Sequence, residues 1–146
     1  MKTIHTTRQI NAPLDLVFWT IADVRNFSQA VPSIVRIEFE GDQQEGVGTR
    51  FKETREMNGK EVTVPLEITE LIPNERVRMV SDTGGTVWDS VFTVTQSGDI
   101  VEMHMEMEAR ASKIMARVIN PLIRGMVVKG VEADMDAVKH YCESQS

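Results

Sequence analysis

The stretch ASKIMARVINPLIRGMVVKGVEADMDAVKHYCE, residues 111–143, decides how the rest of the chain is read. Its large apolar residues are Met115, Ile119, Ile123, Val127, Val131, Met135, Val138 and Cys142, at steps of four with a single step of three. At 3.6 residues per turn these positions share one face of a helix. Lys113, Arg117, Arg124, Glu132, Asp136, Lys139 and Glu143 fall on the opposite face. A helix over the whole stretch is roughly 45–50 Å long at about 1.5 Å per residue, enough to cross a small domain. Asn120-Pro121 interrupts the pattern. Asn caps helices and Pro is favoured at the first helical position, so a kink or break is expected there, with a short helix before it and the main helix after. A second column beside the apolar stripe, Leu122, Met126, Gly130, Ala133 and Ala137, shrinks from Gly130 onward. An interior Gly costs a helix about 1 kcal/mol relative to Ala, and Gly125 adds a second such cost. The column marks either the close approach of a neighbouring element or room for a guest molecule.

Immediately upstream the period changes to two. From Ile100 to Arg110, Val101, Met103, Met105, Met107 and Ala109 face one way, and Glu102, His104, Glu106 and Glu108 the other. That alternation is a half-buried strand. Ser97-Gly98-Asp99 joins it to a strand over Thr86–Gln96, and Thr83-Gly84-Gly85 joins that to Arg76–Asp82. Pro73-Asn74 leads back to Lys60–Leu71, with Val62, Val64, Leu66 and Ile68 on one face. Asn58-Gly59 is a strong hairpin signal and connects to a strand over Thr49–Met57. The glycine-rich stretch Gly41–Gly48 connects to Ser33–Glu40, where Val35, Ile37 and Phe39 are expected on one side. Nearer the N-terminus, Thr3–Asn11 reads as a first strand. A helix follows at Leu14–Ala22, with Asn11 as its expected cap and Pro13 near its first turn. A second short helix is expected over Val24–Ala30, ended by Val31-Pro32. The order is strand, two short helices, six strands in hairpin succession and one long helix. An antiparallel sheet of this kind has an apolar face to cover, and only the terminal helix is large enough to cover it.

A chain of 146 residues with 41% hydrophobic and 26% charged residues reads as one globular domain with a real core. The net charge of −6 argues against nucleic acid and against an anionic membrane surface. No window holds the ~18 apolar residues of a membrane span, and MKTIHTTRQINAP lacks the apolar core of a signal peptide. A lone cysteine, Cys142, forms no internal disulfide, so the cytoplasm is the expected compartment.

The chain resembles the helix-grip fold of the START and birch-pollen-allergen superfamily, SRPBCC, and within it the polyketide cyclase/dehydrase-like branch. The resemblance is carried by Ile10-Asn11-Ala12-Pro13 with Val17-Phe18-Trp19-Thr20-Ile21-Ala22-Asp23; by Gly46-Val47-Gly48-Thr49; by Glu70-Leu71-Ile72-Pro73-Asn74-Glu75-Arg76-Val77; and by Asp136-Ala137-Val138-Lys139. It spans essentially the whole chain. These segments cap helices and make turns, and none is a catalytic signature. The resemblance implies an α+β fold with a curved seven-stranded antiparallel sheet wrapped around the long C-terminal helix. It also implies a cavity between the two for lipids, sterols, polyketides or other apolar molecules.

Parity places the wall of such a cavity. If Met103, Met105 and Met107 face the helix, Trp88, Ser90, Phe92 and Val94 lie opposite them on the preceding strand. Val62, Val64, Leu66 and Ile68 continue the floor, with Phe51 beside them. Met115, Met126, Val127 and Gly130 approach from the helix. Methionines suit surfaces that adapt to several ligands, but the same pattern also fills a plain core. Glu53 and Arg55 share parity with Phe51. They either bind a polar group on the ligand, supply acid–base chemistry together with Ser90, or pair with one another at a solvated rim. Glu102, His104 and Glu106 oppose the methionines and read as a solvated outer face, so no metal is expected. His5 and His140 have no partner by spacing. The Gly41–Gly48 stretch lacks the Lys-Ser/Thr ending of a phosphate loop and leads into a strand. No cofactor fingerprint appears.

Binding of a hydrophobic small molecule is the leading expectation. A cyclase or dehydratase is the alternative, because it needs a positioned acid or base that the inner face scarcely offers. A protein-interaction module of the chaperone-activating or quinone-delivering kind is a further alternative. Its protein partner is left open, and Val128 on the polar side of the helix is its one hint.

Overall fold

The computed structural model describes residues 3–83, 85–111 and 121–145. Strand β1 (Ile4–Ile10) is followed by helices α1 (Leu14–Ala22) and α2 (Val24–Ala30). Strands β2 (Ile34–Phe39), β3 (Arg50–Met57), β4 (Lys60–Ile72), β5 (Arg76–Thr83), β6 (Thr86–Ser97) and β7 (Ile100–Ala111) come next, and helix α3 (Pro121–Gln145) closes the order. The seven strands form one sheet in the order β1-β7-β6-β5-β4-β3-β2, and every neighbouring pair is antiparallel. Consecutive strands from β2 to β7 pair as hairpins. The chain then closes the far edge with β1, its first strand. The fold is the expected α+β helix grip.

Local chemistry explains the boundaries. Asn58 and Gly59 both have positive φ, 52° and 80°, as a two-residue type I′ turn requires. Met57 therefore pairs directly with Lys60. Asp23 ends α1 and caps α2, its carboxylate accepting from the backbone N–H groups of Arg25 and Asn26. Pro121 opens α3, a position that suits a residue without an N–H. Residues 112–120 lie outside the described residues, and with them Met115, Ile119, Asn120 and the short helix expected before Pro121.

Three local expectations need correction. Asn11 does not cap α1: Pro13 occupies the cap position without any side-chain bond, and Asn11 uses its own backbone N–H to reach Glu143 Oε2 at 2.9 Å. Val35 does not share a face with Ile37 and Phe39. The β2–β3 register shifts between Ile34 and Arg36. This bulge makes Val35 the extra residue, 46% exposed, while Ile34 is buried with the core. Ala111 belongs to β7 and not to a helix.

The core gathers at one end. Val131, Met135, Val138 and Cys142 of α3 are buried in a cluster with Ile10, Val17, Phe18, Ile21, Phe92, Val94, Val101, Met103 and Met105. Polar contacts fix α3 beside β1: Arg8 Nε donates to Asp136 Oδ1 at 2.6 Å and Lys139 Nζ to the Gln9 carbonyl at 2.6 Å. The helix packs most closely on β1, α1 and α2. It also reaches β3, next to the opposite edge of the sheet, through Asp134 and Arg55. No helix among the described residues is long and apolar enough to cross a membrane.

Candidate functional site

The face of the sheet turned toward α3 can be read from the register. Phe51 pairs with Leu66, Glu53 with Val64 and Arg55 with Val62 across β3–β4. Ile68 pairs with Met79, Met79 with Ser90, and Ser90 with Met107. Trp88 pairs with Ala109, Phe92 with Met105, and Val94 with Met103. The expected parity of β6 against β7 is the one observed. Phe51, Val64, Leu66, Trp88, Ser90, Phe92, Met103, Met105 and Met107 thus share one face with Glu53 and Arg55.

Burial divides that face. Phe51, Phe92, Met103 and Met105 are buried within the packed cluster. Val64, Leu66, Trp88, Ser90 and Met107 keep accessible surface, and Val62 is 44% exposed. On the helix, Met126 is 44% exposed, Val127 and Gly130 are half-buried, and Val131, Met135, Val138 and Cys142 are buried. Apart from its chain neighbours and the backbone of its own helical turns, no atom of the described residues lies within 4 Å of a Cβ built on Gly130 or on Gly125. The small-residue column therefore does not mark a close approach at Gly130. The apolar side chains that retain surface lie away from the packed end, toward the start of α3 and the β3–β4 hairpin.

A charged cluster sits on the same face. Arg55 Nε donates to Glu53 Oε1 at 2.5 Å and its Nη1 to Asp134 Oδ1 of α3 at 2.8 Å. Nη1 also lies 3.5 Å from Ser33 Oγ. The Glu53 side chain is 8% exposed, Asp134 18% and Arg55 22%. The group is thus paired and interior, not a solvated rim pair. Burial works against the Arg55 charge, but the bond to Asp134 and the charges of Glu53 and Asp134 outweigh it and raise its pKa above the ordinary arginine value. The guanidinium therefore stays charged. Ser90 stands apart, three strands from β3, about 14 Å at the usual strand spacing. Among the described residues its hydroxyl has no hydrogen-bonded base. Sequence reasoning missed Asp134, one turn beyond Gly130 on α3. The available signal was that an inward ion pair needs further hydrogen-bond partners for its remaining donors and acceptors.

The outer face is polar, as expected, but it is ordered by ion pairs. Asp89, 6% exposed, accepts from Arg78 Nε at 2.8 Å and from Arg110 Nη1 at 3.2 Å. Arg78 also donates to Glu70. The bond from Arg78 holds the Asp89 pKa below the usual aspartate value, against the opposing effect of burial, with Arg110 assisting. Cys142 is buried and donates to Thr20 Oγ1 at 3.5 Å, and burial pushes its thiol pKa up. It is a small apolar residue of the core.

Comparison with known proteins matches this geometry to one family. The family model described as polyketide cyclase / dehydrase and lipid transport matches residues 1–143. No curated protein matches the chain by sequence. Among solved structures, TTHA0849 from Thermus thermophilus superposes with a TM-score of 0.80 at 17% identity, covering 99% of each chain. A START superfamily protein from Mycobacterium smegmatis gives 0.80 at 11% identity, also over 99% of each. The di-domain ARO/CYC BexL from the BE-7585A biosynthetic pathway gives 0.75 at 19% identity, covering 96% of this chain and 46% of that one. At these identities the likeness is one of fold.

Proposed function

We propose that the chain, which belongs to the polyketide cyclase / dehydrase and lipid transport family, binds an apolar small molecule with one polar end between the inner face of its sheet and α3. The observation that supports this is the row of half-buried apolar side chains leading to the Arg55 cluster. A lipid, polyketide or quinone has the matching make-up. Burial of its apolar part supplies affinity at about 25 cal/mol per Å², and a few placed polar groups orient it. The wall we assign is Phe51, Val64, Leu66, Trp88, Phe92, Met103, Met105 and Met107 from the sheet, with Met126, Val127 and Gly130 from α3. Met115 joins it on sequence alone. We treat residues 1–146 as one binding domain, and the single buried Cys142 suits the cytoplasm as its compartment.

A cyclase or dehydratase is the second reading, favoured by one observation: Glu53 is a buried carboxylate facing the site. Acid–base catalysis would require it to leave Arg55, whereas binding uses the cluster as it stands. Native mass spectrometry of freshly purified protein, followed by organic extraction, tests the leading reading. The expected result is a bound mass of lipid or polyketide size that extraction removes. A protein that carries no such mass and also fails to bind an environment-sensitive naphthalene dye at micromolar concentration sinks it. Conversion of the extracted molecule by wild type but not by Glu53→Gln, with binding retained in both, would move the assignment to the enzyme.

A further inference from the structure

We propose a divalent-metal site on the outer face of the sheet, in which His5 of β1 and His104 and Glu106 of β7 hold Zn²⁺. The β1–β7 register sets His5 opposite Glu106 and Thr7 opposite His104. All four alternate with the inward Ile4, Thr6 and Met105, so they share the outer face. His5 Nδ1 lies 3.4 Å from His104 Nε2. That is long for a hydrogen bond, which runs about 2.7–3.2 Å. It suits two ligands of one metal: at about 2.0–2.1 Å per Zn–N bond, a tetrahedral angle separates two nitrogens by about 3.3–3.4 Å. The ligand atoms of His5, His104 and Glu106 all lie within 4.8 Å of one another. The exposed Glu106 side chain can swing the remaining distance without moving a packed group.

The His104 ring is already oriented. Thr7 Oγ1 lies 2.9 Å from His104 Nδ1, which leaves Nε2 turned toward His5. A bond to the second ring nitrogen is how metal-binding histidines are usually fixed. Two imidazoles and one carboxylate suit Zn²⁺ and its neighbours Cu²⁺ and Ni²⁺, not Mg²⁺ or Ca²⁺, which take oxygen ligands. Three protein ligands on an accessible face leave a fourth position for water. β7 alone does not show this site. Of the other outward acids of β7, Glu102 pairs with Gln9 at the far end of β1 and Glu108 accepts from Arg110 Nη1, and neither takes part. The site lies on the face away from α3, so it is separate from the ligand site proposed above.

Calorimetric titration of the metal-free full chain with zinc chloride tests it. The expected result is one equivalent bound. His5→Gln and His104→Gln each weaken binding at least about tenfold, Thr7→Val weakens it about tenfold as loss of a supporting bond does, and Glu102→Gln leaves it unchanged. Co²⁺ should give the strong visible absorption of a four-coordinate ion in the wild type and lose it in His104→Gln. Circular dichroism without metal confirms that each variant is folded. Absence of zinc binding at millimolar metal, or binding that survives both histidine substitutions, overturns the proposal.

Discussion

Replacing Gly130 by Leu tests the account of the helix flank. Gly130 lies one turn before Asp134, so it shares the flank of α3 that reaches Arg55 on β3. Apart from its chain neighbours and the backbone of its own helical turns, a Cβ built there meets no atom of the described residues within 4 Å. With room available, the main stability term is helix propensity. Interior Gly is about 0.8–1.0 kcal/mol worse than Ala, and Leu is close to Ala, so Gly130→Leu gains roughly 0.8 kcal/mol. For a chain of 146 residues, each kcal/mol moves the melting temperature by about 2–4 °C. The expected rise is therefore about 2–3 °C. Overpacking would cost about 1–3 kcal/mol instead, a fall of several degrees, so the sign decides. Gly125→Ala is the control. It also meets open space, but five residues away it points to the far side of the helix. Thermal unfolding of wild type, Gly130→Ala, Gly130→Leu and Gly125→Ala should show all three variants at or above the wild-type temperature. Titration with the naphthalene dye should show binding lost only in Gly130→Leu. A clear fall in melting temperature for Gly130→Leu refutes the open flank. A rise with dye binding intact removes α3 from the ligand contacts.

Two further outcomes follow from the charged groups. Arg55→Met leaves Glu53 and Asp134 without their shared cation. Removing one partner of a fully buried pair costs about 3–5 kcal/mol, and with side chains up to 22% exposed the expected loss is about 2–3 kcal/mol by urea unfolding. Adding Glu53→Gln should recover part of it, and strict additivity of the two losses would refute the coupling. Asp89 has a folded-state pKa below its ordinary value, so its stabilising contribution is present above about pH 4 and is lost as pH falls through the folded value. The stability gap between wild type and Asp89→Asn should be full at pH 7 and narrow as pH falls below the ordinary aspartate range. A gap that stays constant across that range contradicts the Arg78–Asp89 assignment.

The distance in sequence over which a feature is decided separates what the chain discloses from what it hides. The β6–β7 register was legible because a short turn at Ser97-Gly98-Asp99 joins two strands of clean alternation, and a slip of one residue would turn Met103 and Met105 outward. Val35 was not legible, because a bulge inserts one residue without changing the composition of the strand. Asp134 was hidden for a different reason: it meets Arg55 across 79 positions, and that meeting depends on how α3 lies against the sheet. His5 and His104 are 99 positions apart and meet only because β1 closes the sheet edge beside β7.

The segments that carry the family resemblance belong to the legible class. Pro13 occupies the cap of α1, Asp23 caps α2, and Gly46, Gly48 and Asn74 hold positive φ in turns. Few residue types satisfy those backbone conformations, so such positions stay recognisable in relatives of low identity. The inner face obeys a looser rule. Val64, Leu66, Trp88 and Met107 need only be apolar and of suitable volume, and many sets of side chains meet that condition. The positions that reveal the fold are thus remote from those that would choose a ligand. The choice of the proposed ligand would therefore rest on the Arg55 cluster and on the space beside Gly130, which long-range packing brings together.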